Sequence, residues 1–301
     1  MGRLNVFYVV MGCWRPVKFS WANRPLLCSH LISQIFKARR LGNSNIEFSL
    51  DLGLSKEVCN ITSEGVHLRN EFIEWSKLEG IMNRERDIYY VEKGEIMPLS
   101  IAGEHFYKLV LVKWGHPPTL EIDGIHMHRI KDITPDVDTE MKLSLLGSLR
   151  CSRILDTCMG LGYTAIEAIK RGACSVKTFE VDENVLKMAS FNPWSSGLED
   201  EKIEIYLGNV FQGVEEYSEY FDVIIHDPPR ISLSGELYSL EFYFKLAEAL
   251  KKNGRIVHYV GQPGIHSGKK IWRGVMERMR RAGFQVRYDP ESRCVYGKKI
   301  E

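Results

Sequence analysis

The sequence predicts an α/β protein: a Rossmann-like, doubly wound sheet of about seven strands ending in an antiparallel hairpin, preceded by a smaller, mostly-β N-terminal domain. Three observations predict it. From about residue 151 the chain alternates short apolar runs with segments of helical spacing, the pattern of a parallel sheet joined by crossover helices. A glycine turn, Gly160-Leu-Gly162, directly follows the first of those runs, where such sheets take their ligands. Residues 1–125 lack that rhythm and break into short strand-like runs divided by Gly and Asn. The division falls at 1–125, an α+β accessory or substrate domain, and 126–301, the catalytic domain.

In the first half, "CSHLISQIFKARR" (28–40) is the one clear helical stretch, and 46–54, 56–62, 87–94 and 106–114 read as strands. The apolar start from Leu4 to Trp14 lacks the small-residue cleavage site of a signal peptide. It reads as a first strand or an over-extended start. Residues 126–149 link the halves. "RILDTCM" (153–159) is a strand bounded by glycine, and the helix at 164–172 stops on Gly172. Strands at 175–182 and 202–209 enclose a helix at 183–192. "FDVIIHD" (221–227) is a buried strand ended by Pro228-Pro229, which cannot extend a central strand. A helix over 236–254, a strand over 255–261 and a helix over 270–283 follow. Strands 284–289 and 293–299 close the chain as a hairpin. No internal repeat is apparent.

The chain has 301 residues, 44% hydrophobic and 26% charged, with no low-complexity run and no apolar stretch of the length a membrane span needs. Its seven cysteines form no C-x-x-C pair, so neither a zinc site nor a disulfide framework is suggested, and a reducing cytoplasm is expected. The net charge of +1 conceals an asymmetry. Residues 1–46 carry seven Lys/Arg and no acid, and 268–301 carry ten against four acids, which leaves the centre acidic. Basic ends are the footprint expected for a phosphate backbone, and equally for two solvated faces.

The turn Gly160-Leu-Gly162-Tyr-Thr-Ala165 satisfies the dinucleotide pattern G-x-G-x-x-G/A, with Glu180 at about the right distance for a ribose. Asp156 argues against that cofactor. A carboxylate at the strand end would repel a pyrophosphate by several kcal/mol in a partly desolvated cleft. It suits a ligand with an ammonium group there, as S-adenosyl-L-methionine has. Here the sequence resembles the class I S-adenosylmethionine-dependent methyltransferases, over about residues 125–290. Their motif D-x-G-x-G-x-G appears as Asp156-Thr-Cys158-Met-Gly160-Leu-Gly162, with Cys158 in place of the first glycine. The resemblance implies that Asp156 holds the methionine end and that Gly160 and Gly162 let the backbone approach the cofactor. It implies that Glu180 takes the ribose hydroxyls and that Asn209 stands beside the adenine, with Val181 and Val210 as adjoining contacts.

"IIHDPPR" closes the fourth strand of this sheet. An Asp-Pro-Pro corner fixes a carboxylate and a backbone carbonyl in one rigid place, and two acceptors can aim an amine's lone pair. The corner, Asp227-Pro228-Pro229, resembles the D/N-P-P-Y/F of amino-methylating enzymes. With Arg230 it is closer to the D-P-P-R of RNA methyltransferases related to the tRNA uracil-5 enzymes. Those need a cysteine after the fifth strand; "RIVHYVGQPG" has none, and Cys294 is the only later one. The whole chain resembles an uncharacterised archaeal-type methyltransferase group sharing "HDPPR", "GELYS" and "HY-G-PG". Histidines 126, 128, 226, 258 and 266 read as pocket or packing residues, and no metal is expected. His226 and His258 end adjacent strands, where one could accept the substrate's proton. Glu236 and Tyr238 could reach the acceptor, or Tyr238 could pack.

The expected activity is methyl transfer from S-adenosyl-L-methionine to a nitrogen of RNA, tRNA or rRNA. Two alternatives stand beside it. One is methyl or aminopropyl transfer to a protein or small-molecule amine, although the loop does not follow the G-G-G-D/E-G of polyamine synthases. The other is a non-catalytic RNA-binding module that keeps a cofactor pocket. The oligomeric state is not legible.

Overall fold

The computed structural model of the protein describes residues 14–261 and 270–300. The expected strand over Leu4–Trp14 falls outside them except for Trp14, as do His266 and the Pro-Gly of "HY-G-PG".

The N-terminal half is built of short antiparallel strands. After β1 (Trp14–Val17) come β2 (Leu26–Cys28), α1 (Ser29–Arg40), β3 (Asn45–Phe48), β4 (Glu57–Ile61), β5 (Gly65–Leu68), β6 (Glu71–Glu74), α2 (Trp75–Glu79), β7 (Ile88–Glu92), β8 (Glu95–Pro98), β9 (Ser100–Ala102), β10 (Phe106–Val110), β11 (Thr119–Ile122) and β12 (Ile125–His126). They pair into three small sheets, ordered β3-β4-β5-β6, β2-β7-β8 and β12-β11-β10-β9. Helix α1 forms where expected because Leu31, Ile32, Ile35 and Ala38 recur on one buried face.

The second half forms the expected sheet. It comprises α3 (Pro135–Ser144), β13 (Arg153–Asp156), α4 (Tyr163–Lys170), β14 (Ser175–Glu180), α5 (Glu183–Phe191), β15 (Ile203–Gly208), α6 (Val210–Gly213), β16 (Phe221–His226), α7 (Leu240–Ala249), β17 (Leu250–Tyr259), α8 (Ile271–Arg281), β18 (Phe284–Asp289) and β19 (Cys294–Lys299). The order is β1-β15-β14-β13-β16-β17-β19-β18. Strands β15, β14, β13, β16 and β17 are parallel, and β19 with β18 supplies the antiparallel hairpin. This is a Rossmann-like, class I methyltransferase-like sheet.

Two boundaries differ from the sequence reading. An eighth strand, β1, comes from the other half of the chain and pairs antiparallel with β15, Trp14 opposite Gly208. Trp14 packs edge-on to Tyr206, 5.0 Å between ring centres, which covers an edge that would otherwise be open. The helix expected over 236–254 is shorter. A 3₁₀ turn, Gly235–Tyr238, precedes it; Ser239 then caps α7 by accepting from the Phe242 N–H. At Leu250 the chain turns extended to pair with Phe221.

The larger apolar cluster draws on both halves: Leu109 and Leu120 belong to it with Leu143, Ile154 and Tyr163. A second cluster fills the other side of the sheet, where α7 and α8 pack.

Candidate active site

Strand ends and the turns after them build the site. Strand β13 ends on Asp156, wholly buried. Its Oδ2 accepts from the Thr178 hydroxyl at 2.8 Å, while its Oδ1 has no partner. Burial pushes this carboxyl up to about 7 against the hydroxyls of Thr178 and Thr164, and Asp227 and Glu180 add to the rise. An orphaned, buried carboxylate oxygen is costly unless a ligand's N–H meets it.

The two glycines do different work. Gly160 lies at φ +53°, and a Cβ added there would meet nothing within 4 Å, so its face is open. Gly162 lies at φ +78°, and a Cβ there would sit 2.6 Å from Leu198. Gly162 is therefore a helix entry packed on Leu198. Cys158, half-buried, accepts a long contact from the Thr157 hydroxyl at 3.7 Å, and burial raises its thiol so that it stays neutral.

Glu180 ends β14 and folds back over the turn. Its Oε2 accepts from Gly160 N at 3.0 Å, and its Oε1 from Val181 N and Asp182 N at 2.9 and 3.0 Å. Burial raises it to about 7 against those three bonds. Oε2, with one bond against two on Oε1, keeps an acceptor site for a hydroxyl. Val181 next to it is 71% exposed, an uncovered apolar surface. Tyr107, from β10, donates to Asp182 and so ties the N-terminal half to this rim.

Asn209 is held from two sides. Its Oδ1 caps α6 by accepting from Phe211 N at 2.8 Å, and its Nδ2 donates to Glu236 Oε1 at 3.1 Å. One acceptor site of the amide oxygen and one amide N–H remain. Val210 is buried in the core.

The corner after β16 is held from several sides. Pro228 is buried, and the Pro229 carbonyl accepts from the Tyr238 hydroxyl at 3.0 Å and from Ser234 at 3.1 Å. That carbonyl is already used, and Tyr238 acts as a tether. Arg278 of α8 donates to Tyr238 O at 2.8 Å, which anchors the tether. Arg230 is exposed.

Asp227 meets a partner that the sequence reading missed. Lys142 Nζ lies 2.7 Å from Asp227 Oδ2 and 2.7 Å from Asp138 Oδ2, and 4.1 Å from the centre of the Tyr259 ring. Burial opposes its charge, but Asp227 and Asp138 outweigh that and push the lysine above its ordinary range. The only signal was Asp138 and Lys142 at i,i+4 in the linker, a spacing normally read as a solvated helix face.

His226 and His258 are turned away from this chemistry. Both are fully buried, with rings 4.2 Å apart. His226 lies 2.7 Å from the Thr157 hydroxyl and 3.0 Å from the Leu237 carbonyl, and burial pushes it down to about 3. His258 lies 3.3 Å from the Tyr243 hydroxyl and is also lowered by burial. Neither geometry suits a proton acceptor for substrate, a correction forced by strand alternation: His226 and Asp227 are neighbours and point apart. Among the described residues, no group of three or more metal-binding side chains occurs.

Comparison with known proteins adds a family signal. The spermine/spermidine synthase domain matches residues 160–290, less than half of the chain, beginning after Asp156 and Cys158. A polyamine aminopropyltransferase of Desulforudis audaxviator is 30% identical over 166 residues, 53% of this chain and 59% of its own length. The spermidine synthase of Thermotoga maritima shares the fold, with a TM-score of 0.51 and 21% identity over 67% of this chain and 72% of its own. The expected kinship with the tRNA uracil-5 group gives way here, because the matching domain is the polyamine one. An uncharacterized protein of Methanocaldococcus jannaschii, MJ1233, is 46% identical over 214 residues, 70% of this chain and 73% of its own length. With this fold and that extent of identity, the chain belongs to the same family as MJ1233.

Proposed function

We propose that the protein transfers an alkyl group from an S-adenosyl sulfonium to an amine, and that the group is aminopropyl, carried by decarboxylated S-adenosylmethionine. Charge carries the reading. Asp227 and Glu180 both act on Asp156 around the open glycine turn, and the buried ammonium beside Asp227, Lys142, is already shared by two carboxylates. A ligand with a sulfonium and an ammonium suits such a cleft, and so does a polyamine. A ligand carboxylate would face Asp156 without a counter-charge, at a cost of several kcal/mol.

The unpartnered Asp156 Oδ1 and the open face of Gly160 fit the ligand's ammonium and its close approach. When bound, the sulfonium supplies an electrophilic carbon and a neutral leaving group. Glu180 takes a ribose hydroxyl with the remaining acceptor site of Oε2, and Val181 offers apolar cover. Asp227 accepts an N–H of the incoming amine through Oδ1. The chain departs from the polyamine-synthase loop: Leu161, buried, stands where G-G-G-D/E-G has its acid. Asp156 supplies the carboxylate in its stead.

Methyl transfer to an amine of RNA is the second reading. It rests on the Asp-Pro-Pro corner and on exposed arginines at both ends of the chain, Arg39, Arg40, Arg280 and Arg281. One experiment separates the two. The protein is given each cofactor with a diamine, a polyamine or RNA, and the nucleoside product is identified. The expected outcome is 5′-methylthioadenosine from the decarboxylated cofactor with an amine. S-adenosylhomocysteine formed only with RNA would select the second reading, and neither product would remove both.

A further inference from the structure

Resting on the reading of Asp227 as the acceptor-side group, we propose that Lys142 is the positioning residue of the corner: clamped by Asp138, it fixes Asp227 through Oδ2 and leaves Oδ1 to accept an N–H from the neutral attacking amine, whose lone pair stays free for the sulfonium carbon. The geometry is specific. Helix α3 places Asp138 and Lys142 one turn apart on a buried face, with side chains 1% and 4% exposed, and Asp227 is 22% exposed. Of the three groups only Asp227 has a side open to a substrate. The ammonium also rests on the Tyr259 ring of β17, so α3, the turn after β16 and β17 meet at one atom.

A buried lysine needs a reason. One counter-ion would neutralise it; here two carboxylates hold it, and breaking a buried network of this kind is costly. The arrangement leaves the cluster with one net negative charge, displayed by Asp227 toward the cleft. That charge matches an ammonium-bearing acceptor and disfavours a phosphate. The groups facing Asp227 are Lys142 and Asp138 from α3, Asp156 and Cys158 at the end of β13, Tyr238 from the 3₁₀ turn, Tyr259 from β17 and Cys294 from β19. Among the described residues that face Asp227, Lys142 is the one cation.

The test compares wild type with Lys142→Met and Lys142→Arg. Both are assayed for 5′-methylthioadenosine binding, for kcat and acceptor KM with a diamine, and for the pH dependence of kcat/KM. Lys142→Met is expected to bind the nucleoside within about twofold of wild type and to lose at least tenfold in kcat. Its acid limb should move to higher pH, because the corner carboxylate then lacks its counter-charge. Lys142→Arg keeps the charge and the limb but not the fit, so its kcat falls between the two. A second readout needs no turnover. The melting temperature of Lys142→Met should fall between pH 5 and pH 8 more steeply than that of wild type, and Asp227→Asn in the same chain should reduce that slope. Wild-type kcat and pH profile in a folded Lys142→Met protein would overturn the proposal, as would a melting temperature whose pH slope ignores Asp227. Absence of any transfer by wild type would instead remove the functional reading, while the melting series still decides whether Lys142 holds Asp227.

Discussion

Two carboxyls, Asp156 and Glu180, stand at about 7 because burial works against their charge. In the ligand-free protein their folded values lie above the ordinary carboxyl range, so the stability they contribute is present at low pH and is lost as pH rises through 7. Binding a cationic ligand requires the ionised forms, so affinity moves the opposite way. The shift in melting temperature produced by a cationic S-adenosyl ligand should grow from pH 6 to pH 8, and a shift that shrinks over that range would contradict the assignment. Glu180→Gln keeps the shape and loses the charge. It should weaken ligand binding by about 1.5–3 kcal/mol, roughly 10- to 150-fold, as measured by calorimetry. Asp227→Asn should cost roughly 10²-fold or more in kcat with nucleoside affinity nearly unchanged.

At the scale of elements, the glycine turn and the corner are held by different means, and substitutions separate them. Gly162→Ala places a methyl group against Leu198 in a backbone conformation that favours glycine. It should destabilise the protein by about 1–3 kcal/mol in chemical denaturation. Gly160→Ala meets no protein atom. Beyond about 1–2 kcal/mol for its left-handed backbone, its loss should appear in ligand binding. The tether between Tyr238 and Pro229 predicts a third pattern. Tyr238→Phe should cost about 0.5–1.5 kcal/mol of stability for the lost hydrogen bond, and its functional loss should fall on kcat rather than on nucleoside binding. Binding and turnover lost together would mean that the 3₁₀ turn supports the cofactor side as well.

Across the whole molecule, the halves that the sequence separates at residue 125 share an apolar cluster, and β1 of the first half completes the sheet of the second. Tyr107 reaches the cap of α5, and the Tyr163 hydroxyl donates to the Pro118 carbonyl at 2.8 Å. Shared burial of this kind couples unfolding. Thermal unfolding followed by fluorescence and by circular dichroism should coincide in one transition; two separated transitions would show that the halves fold independently. No helix among the described residues is long and apolar enough to cross a membrane.

The sequence by itself determined the second half's order of strands and helices, the glycine turn at Gly160 and Gly162, and the strand-end positions of Asp156, Glu180 and Asp227. These are local properties. Apolar period distinguishes helix from strand, and a residue at a strand's C-terminal end is at the ligand edge of such a sheet wherever the rest of the chain goes. Tertiary structure alone decided what each polar side chain meets. It set Lys142 against Asp227 across 85 residues. It turned His226 into the core although the next residue, Asp227, faces the cleft, and it set the Asn209 oxygen as a helix cap. It brought β1 to the far edge of the sheet. Charge pairing, side-chain facing and edge pairing depend on distances between segments remote in sequence, and no local pattern encodes them.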